Sequence, residues 1–416
     1  MRSRPPAVPN ACSRHDRVAQ ANDPAAYASE PAVIRKEILV RDDPISGFAG
    51  VVRAGSLLFT SGCDGHRDPL SDAVDPNLTG QGSAQSDNSY GRIQRLLEQA
   101  GSSTSAVARI DHFASSQDWI AERQAKRAEF FGRPAPHGST GVAARMSGLN
   151  MLTTAVIAVA EGAPHDVLVA GKDYAIGHIS SLVRAGPLLF LSGIRGTLDP
   201  RTATAIAEET ADSFAAQTRI CYELIIDILA GGNATQAAIV RLDRYVRDRN
   251  RLGDEAAICQ SIMGDLDAVS TAIPLPMGMH GEVEVTALAV VDAGSKEICA
   301  KDATGRATAI RAGDFVFIGE CAGGVDAQSG DPKLDLAGDI EGQIDNSVAT
   351  LEERLISAGT TVADIVRLEV YLRDIYAADV FLARARGVFG DNPPAIIVAG
   401  ADLDGINEVK LNAIAV

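Results

Sequence analysis

Aromatic residues are scarce, at 5% of 416 residues with a single Trp. So few rings argue against an aromatic-lined groove for sugars or single-stranded nucleic acid. Positive charge is also in deficit: 38 Lys and Arg stand against 54 Asp and Glu, a formal charge of -16. A net-acidic chain repels phosphate backbones, so nucleic acid is not expected as a partner without a local basic patch. The densest candidate, Arg241 to Arg251, is interrupted by Asp243 and Asp248 and reads as a salt-bridged edge. No apolar run approaches the roughly 18 residues that suggest a membrane span. The six cysteines (Cys12, Cys63, Cys221, Cys259, Cys299 and Cys321) form no CxxC pair, and no His lies at zinc-ligand spacing from them. This predicts free thiols, no metal and a cytoplasmic chain. No phosphate-binding loop is present, so no cofactor is expected. Residues 1–32 are rich in Pro, Ala, Asn, Asp and Arg without periodicity; they lack the apolar core of a secretory signal and read as a flexible tail.

What is present is a threefold repeat. RAGSLLFTSG (Arg53 to Gly62) recurs as RAGPLLFLSG (Arg184 to Gly193) and as RAGDFVFIGE (Arg311 to Glu320). Each copy continues with Asp-Pro (Asp68-Pro69, Asp199-Pro200, Asp331-Pro332) and with a helical pattern opening at Gln85, Gln217 or Gln343. Strands ARIDHF, VRLDRY and VRLEVY follow, and each unit closes on an apolar strand: LTTAVIAVA, VEVTALAVV or VKLNAIAV. Five landmarks in one order, three times, define tandem units. The helices carry apolar residues at three- and four-residue steps, with Gly101, Asn233 and Gly359 placed to cap them in a left-handed conformation. The pattern predicts an α+β fold with helices outside mixed sheets. The expected domains are 33–162, 163–293 and 294–416.

This order resembles the RidA family (YjgF/YER057c/UK114). Its pattern runs from a glycine and an apolar strand through Ser-Gly, Asp-Pro and a Gln-opened helix to Val-Lys-x-x-Val-Tyr, Pro-Ala-Arg and a final Val-Glu-Ile-Glu-Ala-Ile-Ala strand. Single-length members are homotrimers with clefts between subunits, so three copies in one chain imply a chorismate-mutase-like pseudo-trimer, monomeric or dimeric, as in the similarly built chorismatases. The resemblance implies a cofactor-free enzyme acting on a C=N or C–N bond of a small metabolite, an imine or enamine deaminase or related hydrolase. The alternatives are a chorismatase-like lyase on a cyclic acid, or a non-catalytic ligand-binding or chaperone-like relative.

The family's site columns can be carried over one at a time. The arginine that grips the substrate carboxylate falls on His137 in copy one, near Val269 in copy two and on Ile396 in copy three, so no copy keeps it. The water-positioning glutamate falls on Thr153, Glu284 and Lys410. The serine falls on Ser61, Ser192 and Gly319. The leading aromatic falls on Phe48, near His178 and on Arg306, and Cys63 follows the Ser-Gly pair. The resemblance therefore implies His137, Glu284, Ser61 and Ser192 as catalytic candidates, and Arg306, Phe48, His178 and Cys63 as substrate contacts. Loss of the guanidinium predicts weak hydrolysis of 2-iminobutanoate. Asp111, Asp243 and Glu369 share a central-strand column with Arg109, Arg241 and Arg367 nearby, and read as structural ion pairs gathered near a threefold axis.

Overall fold

The computed structural model describes residues 34–41, 47–132, 135, 137–170, 179–199, 204–205, 213–277 and 281–416. The expected tail and His178 lie outside the described residues.

In the first unit, strands β1 (Lys36–Val40), β2 (Val51–Ala54), β3 (Leu57–Thr60) and β4 (Cys63–Asp64) lead to helix α1 (Gly82–Gln99). Strand β5 (Val107–Ala114), helix α2 (Ile120–Phe131) and strands β6 (Gly138–Ala143) and β7 (Leu152–Val159) complete it. The second unit has β8 (His165–Ala170), β9 (Ser180–Ala185), β10 (Leu188–Leu191), β11 (Ile194–Arg195), and a small pair β12 (Leu198–Asp199) and β13 (Thr204–Ala205). It continues with α3 (Phe214–Gly231), β14 (Ile239–Val246), α4 (Leu252–Met263), β15 (Val269–Pro274) and β16 (Val283–Val290). The third has β17 (Lys296–Lys301), β18 (Ala307–Ala312), β19 (Phe315–Ala322), α5 (Ile340–Ser357), β20 (Ile365–Leu372), α6 (Ala378–Phe389), β21 (Ala395–Gly400) and β22 (Val409–Ala415).

The three sheets have one topology. Their orders are β1-β2-β3-β7-β5-β6, β8-β9-β10-β16-β14-β15 and β17-β18-β19-β22-β20-β21. The last pair in each is parallel, because a helix supplies the crossover; the other neighbours are antiparallel. Gly101, Asn233 and Gly359 take φ of 70°, 59° and 71° after α1, α3 and α5, where the helix must end left-handed. Apolar residues on one strand face pack against each unit's own helices. The opposite faces of all three sheets share one core that includes Phe59, Phe190 and Phe317. This is an α+β fold of three tandem RidA-like domains, with sheets inside and helices outside.

The domains close into a ring. Gly62 N at the end of β3 donates to Ile396 O on β21 at 2.9 Å. Gly193 N after β10 donates to Ser139 O on β6 at 2.9 Å. On the third side Ala272 N on β15 donates to Glu320 Oε2 on β19 at 3.0 Å. Domain 1 thus meets domain 3, domain 2 meets domain 1, and domain 3 meets domain 2, each through the same elements.

The column of charges lies where the sheets converge, and its members are buried. Each arginine pairs within its own strand: Arg109–Asp111 and Arg241–Asp243 at 2.9 Å, Arg367–Glu369 at 2.8 Å. Two links also cross domains, from Arg367 to Asp111 at 2.5 Å and from Arg241 to Glu369. The third arginine, Arg109, turns instead to Thr286 Oγ1 at 3.1 Å and Thr140 Oγ1 at 3.3 Å.

Candidate functional site

Strand pairing fixes which residues are equivalent across the three interfaces. Arg109 pairs with Gly138, Arg241 with Val269 and Arg367 with Ala395. The column of Ile396 therefore holds Ser139 and Ser270. His137 and Val269 lie two and one residues earlier, which corrects the column read from Pro134-Ala135-Pro136-His137. The central conclusion of that reading is unchanged, because no copy has arginine in this column.

The candidate residues do not converge on one site. His137 is fully buried, with its ring edge-on to Phe131 at 5.6 Å and Nδ1 3.3 Å from Gly138 O. Glu284 lies at the interface of domains 1 and 2, where Arg195 Nε holds Oε2 at 2.5 Å and Gly141 N donates to Oε1 at 3.3 Å. Arg195 Nη2 also donates to Gly141 O. Ser192 at the same interface donates to Ser180 O at 2.6 Å and accepts from Ser139 N at 2.9 Å. Ser61 does the same between domains 1 and 3, donating to Ala49 O at 2.6 Å and accepting from Ile396 N at 2.8 Å. Both hydroxyls are buried staples across domain boundaries. Cys63 sits in the core of domain 1, and Phe48 packs edge-on against Phe389 of domain 3 with centroids 5.9 Å apart. Arg306 is exposed in the turn from Asp302, whose carboxylate accepts its backbone N–H at 3.0 Å.

The three interfaces differ in what occupies their columns. Between domains 1 and 2 the Glu284–Arg195 pair of domain 2 grips the backbone of Gly141 in domain 1. Between domains 2 and 3 Lys410 takes the glutamate column; its ammonium meets Glu320 at 2.7 Å, Asp404 at 2.6 Å and Ala272 O at 3.1 Å. Burial works against that charge, but the two carboxylates hold the Lys410 pKa above its ordinary value.

Between domains 1 and 3 a cleft of about 180 Å³ remains. Domain 1 lines it with Gly62, Asp64, His66, Arg67, Asn150 and Thr153, among others. Domain 3 contributes a largely apolar wall from β21 and α6, including Leu382, Ile396 and Val398, with Asp379 the charged exception. Here the glutamate column holds Thr153, and the carboxylate stands directly across the ladder: Asp64 on β4 pairs with Thr153 on β7. Thr153 Oγ1 donates to Asp64 Oδ1 at 2.5 Å, and Asn150 Nδ2 donates to the same oxygen at 3.0 Å. Asn150 is fixed in turn by the amides of Gly65 at 3.1 Å and Leu152 at 3.3 Å. Both side-chain bonds fall on Oδ1, which leaves Oδ2 without a protein hydrogen bond. His66 Nδ1 and Arg67 Nε, on residues that line the same cleft, are buried nitrogens without a protein hydrogen bond. The arrangement is a carboxylate held in one orientation next to donors, facing an apolar wall. Sequence reading missed Asp64; the signal was a complementary pair of columns, Asp64 with Thr153 and Arg195 with Glu284.

No protein-family model matches the sequence, and no curated protein sequence matches it. Solved structures do. A chorismatase aligns at 15% identity over 75% of this chain and 93% of that one, with a TM-score of 0.47. A YjgF/YER057c/UK114 family member from Mycobacterium tuberculosis aligns at 26% identity over 31% of this chain and 100% of its own, TM-score 0.26. A putative endoribonuclease from Thermotoga maritima aligns at 20% identity over 30% and 97%, TM-score 0.26. The chain is similar to RidA/YjgF proteins and to chorismatase. No helix among the described residues is long and apolar enough to cross a membrane.

Proposed function

We propose that the chain is a cofactor-free enzyme that hydrolyses a C=N bond of a small metabolite in the cleft between domains 1 and 3. One observation carries this reading: of three equivalent interfaces, two have the glutamate-column residue committed to an ion pair, while the third keeps an oriented carboxylate beside an open volume. Water held by Asp64 Oδ2 adds its oxygen to the imine carbon and loses a proton to the carboxylate. The nitrogen takes up a proton, for which His66 is the side chain in place. Collapse of the adduct breaks the C–N bond, forms C=O and releases ammonia or an amine. The volume is below the ~300–1,000 Å³ of pockets for drug-sized ligands, so the substrate is small. Ile396 in the anchor column favours an uncharged chain on the domain 3 wall over the carboxylate of a 2-imino acid. The ring closes within one chain, so the assembly in this reading is a monomer or a dimer of rings.

The apolar wall also favours a second reading, ligand binding without turnover. Ammonia release from a panel of small imines separates the two. Asp64→Asn keeps the bonds from Thr153 and Asn150 within reach and removes the base. It is expected to lower turnover at least 100-fold, while the thermal midpoint stays within a few degrees of the parent chain. An unchanged rate rejects Asp64 as the base. A panel with no turnover but saturable binding selects the second reading.

A further inference from the structure

The layer between helices and sheet has an equivalent triad in each domain. The ninth residue of the first helix, the sixth of the central strand and the fourth of the second helix meet there. In domain 3 these are Val348, Val370 and Phe381, all apolar and buried. In domain 2 they are Tyr222, Arg244 and Glu255, and the charges cancel: Arg244 Nη1 meets Glu255 Oε2 at 2.5 Å and the Tyr222 hydroxyl donates to Oε1. In domain 1 they are Tyr90, His112 and Arg123. Tyr90 and His112 satisfy each other at 2.9 Å, and burial, followed by the nearby arginines, keeps His112 neutral. Arg123 is 2% exposed and has no carboxylate in ion-pair contact; Glu284 across the domain boundary attracts it, but that carboxylate is already paired with Arg195, which repels it. Its Nη2 reaches only the neutral Gln117 Oε1 at 3.3 Å, and Nε and Nη1 have no acceptor.

A guanidinium cannot shed its charge as a lysine or histidine does, and a buried one without a counter-charge is among the most costly groups a fold can hold. A second donor lies in the same place without an acceptor. Trp119 places its ring 5.7 Å from the Arg123 guanidinium, and its buried Nε1–H is unpartnered. We infer that domain 1 binds a small oxyanion between α2 and β6, held by Arg123 and Trp119. The oxyanion supplies the negative charge that Glu255 supplies in domain 2. This site is separate from the open cleft and does not depend on the enzymatic reading.

Trp119 is the chain's sole tryptophan, so its fluorescence reports on the site directly. The full chain is titrated at fixed ionic strength with formate, acetate, phosphate and sulfate, against chloride. Thermal unfolding is recorded in parallel. The expected result is a saturable fluorescence change in the millimolar range or below, with a rise of a few degrees in the midpoint for either the planar or the tetrahedral anions. Phe381 shows that this position accepts an apolar residue, so Arg123→Met is expected to fold. That variant should lose the saturable change and retain only the general stabilisation that sulfate and phosphate give any protein. Trp119→Phe should weaken anion binding several-fold in the thermal assay. Identical anion dependence in parent and Arg123→Met overturns the proposal. So does an Arg123→Met chain more stable than the parent at every anion concentration, as does the absence of any response to all four anions.

Discussion

The interface between domains 1 and 3 and the interface between domains 1 and 2 are built from the same strands, with a serine staple at the same position in each. At one, the residue facing the glutamate column is Asp64, opposite a threonine. At the other it is Arg195, opposite a glutamate. The first combination leaves a polar group oriented and unneutralised beside open space; the second pairs two domain 2 side chains that together grip the backbone of Gly141 in domain 1. Gene duplication keeps the columns that close the ring, and two residues on adjacent strands then decide whether a cleft is usable. The third interface commits its glutamate column to an ion pair by another route, with Lys410 in that column and Glu320 where the other domains have glycine.

The largest effect is expected from breaking the Arg195–Glu284 pair. Arg195→Met leaves Glu284, whose side chain is 3% exposed, without its ion-pair partner. Removing one partner of a buried pair costs about 3–5 kcal/mol, and the partial exposure of Arg195 places this case near 3 kcal/mol. Urea denaturation should show that loss, and the double variant Arg195→Met with Glu284→Met should recover most of it. A single variant within about 0.5 kcal/mol of the parent means that the pair does not stabilise the fold.

The same inequality between interfaces reaches the axis, where it can be read by pH. Burial opposes the charge on Glu369, but Arg241 and then Arg367 and Arg109 outweigh it and hold the pKa at about 2 instead of 4.5. Asp243 has only its own-strand arginine within hydrogen-bond distance, and burial pushes its pKa up. A carboxyl whose folded pKa is depressed contributes stability that is complete above its unfolded value and is lost as pH falls through the folded value. Glu369 should therefore cost stability as pH drops from about 4.5 to about 2. Asp243, with the opposite shift, binds its proton more tightly when folded and offsets part of the loss. Glu369→Gln should be less stable than the parent at neutral pH, and the gap should narrow through that acid window. A gap that stays constant from pH 6 to pH 2.5 contradicts the assignment.

Much of the architecture was legible because duplication prints the same local signals three times. Arg-Ala-Gly before a strand, Gln at a helix start and a left-handed residue at its end mark equivalent positions even where packing residues differ. The site was less legible, for two physical reasons. A strand's column is set by the hydrogen bonds it makes with its neighbour, so the Pro-rich approach to β6 placed His137 where Ser139 belongs. The role of Asp64 arises from Thr153, 89 residues away. Cys63, next to Asp64, follows the Ser-Gly pair in the sequence, but alternation along β4 turns its thiol into the core. A serine at the family's serine position likewise carries no mark of whether its hydroxyl is free or already shared between two domains.

That last ambiguity is open to direct measurement at Ser61. Its hydroxyl lies at 2% exposure between Ala49 O and Ile396 N, so both of its hydrogen-bonding capacities are taken by backbone groups. In domain 3 the same column is Gly319, and that interface closes without a hydroxyl, so the staple is useful to the ring without being required by it. Ser61→Ala removes one donor and one acceptor and leaves two buried backbone groups unpaired, a loss of about 1–2 kcal/mol. Because the hydroxyl's one proton is committed to Ala49 O and it has none to donate to a substrate, turnover should fall by less than about threefold at temperatures well below unfolding. A structural staple moves the urea midpoint and leaves kcat nearly alone. A catalytic hydroxyl does the reverse. A hundredfold drop in kcat with an unchanged midpoint would restore Ser61 as a donor to the substrate, and would require its bond to Ile396 to open before the cleft can work.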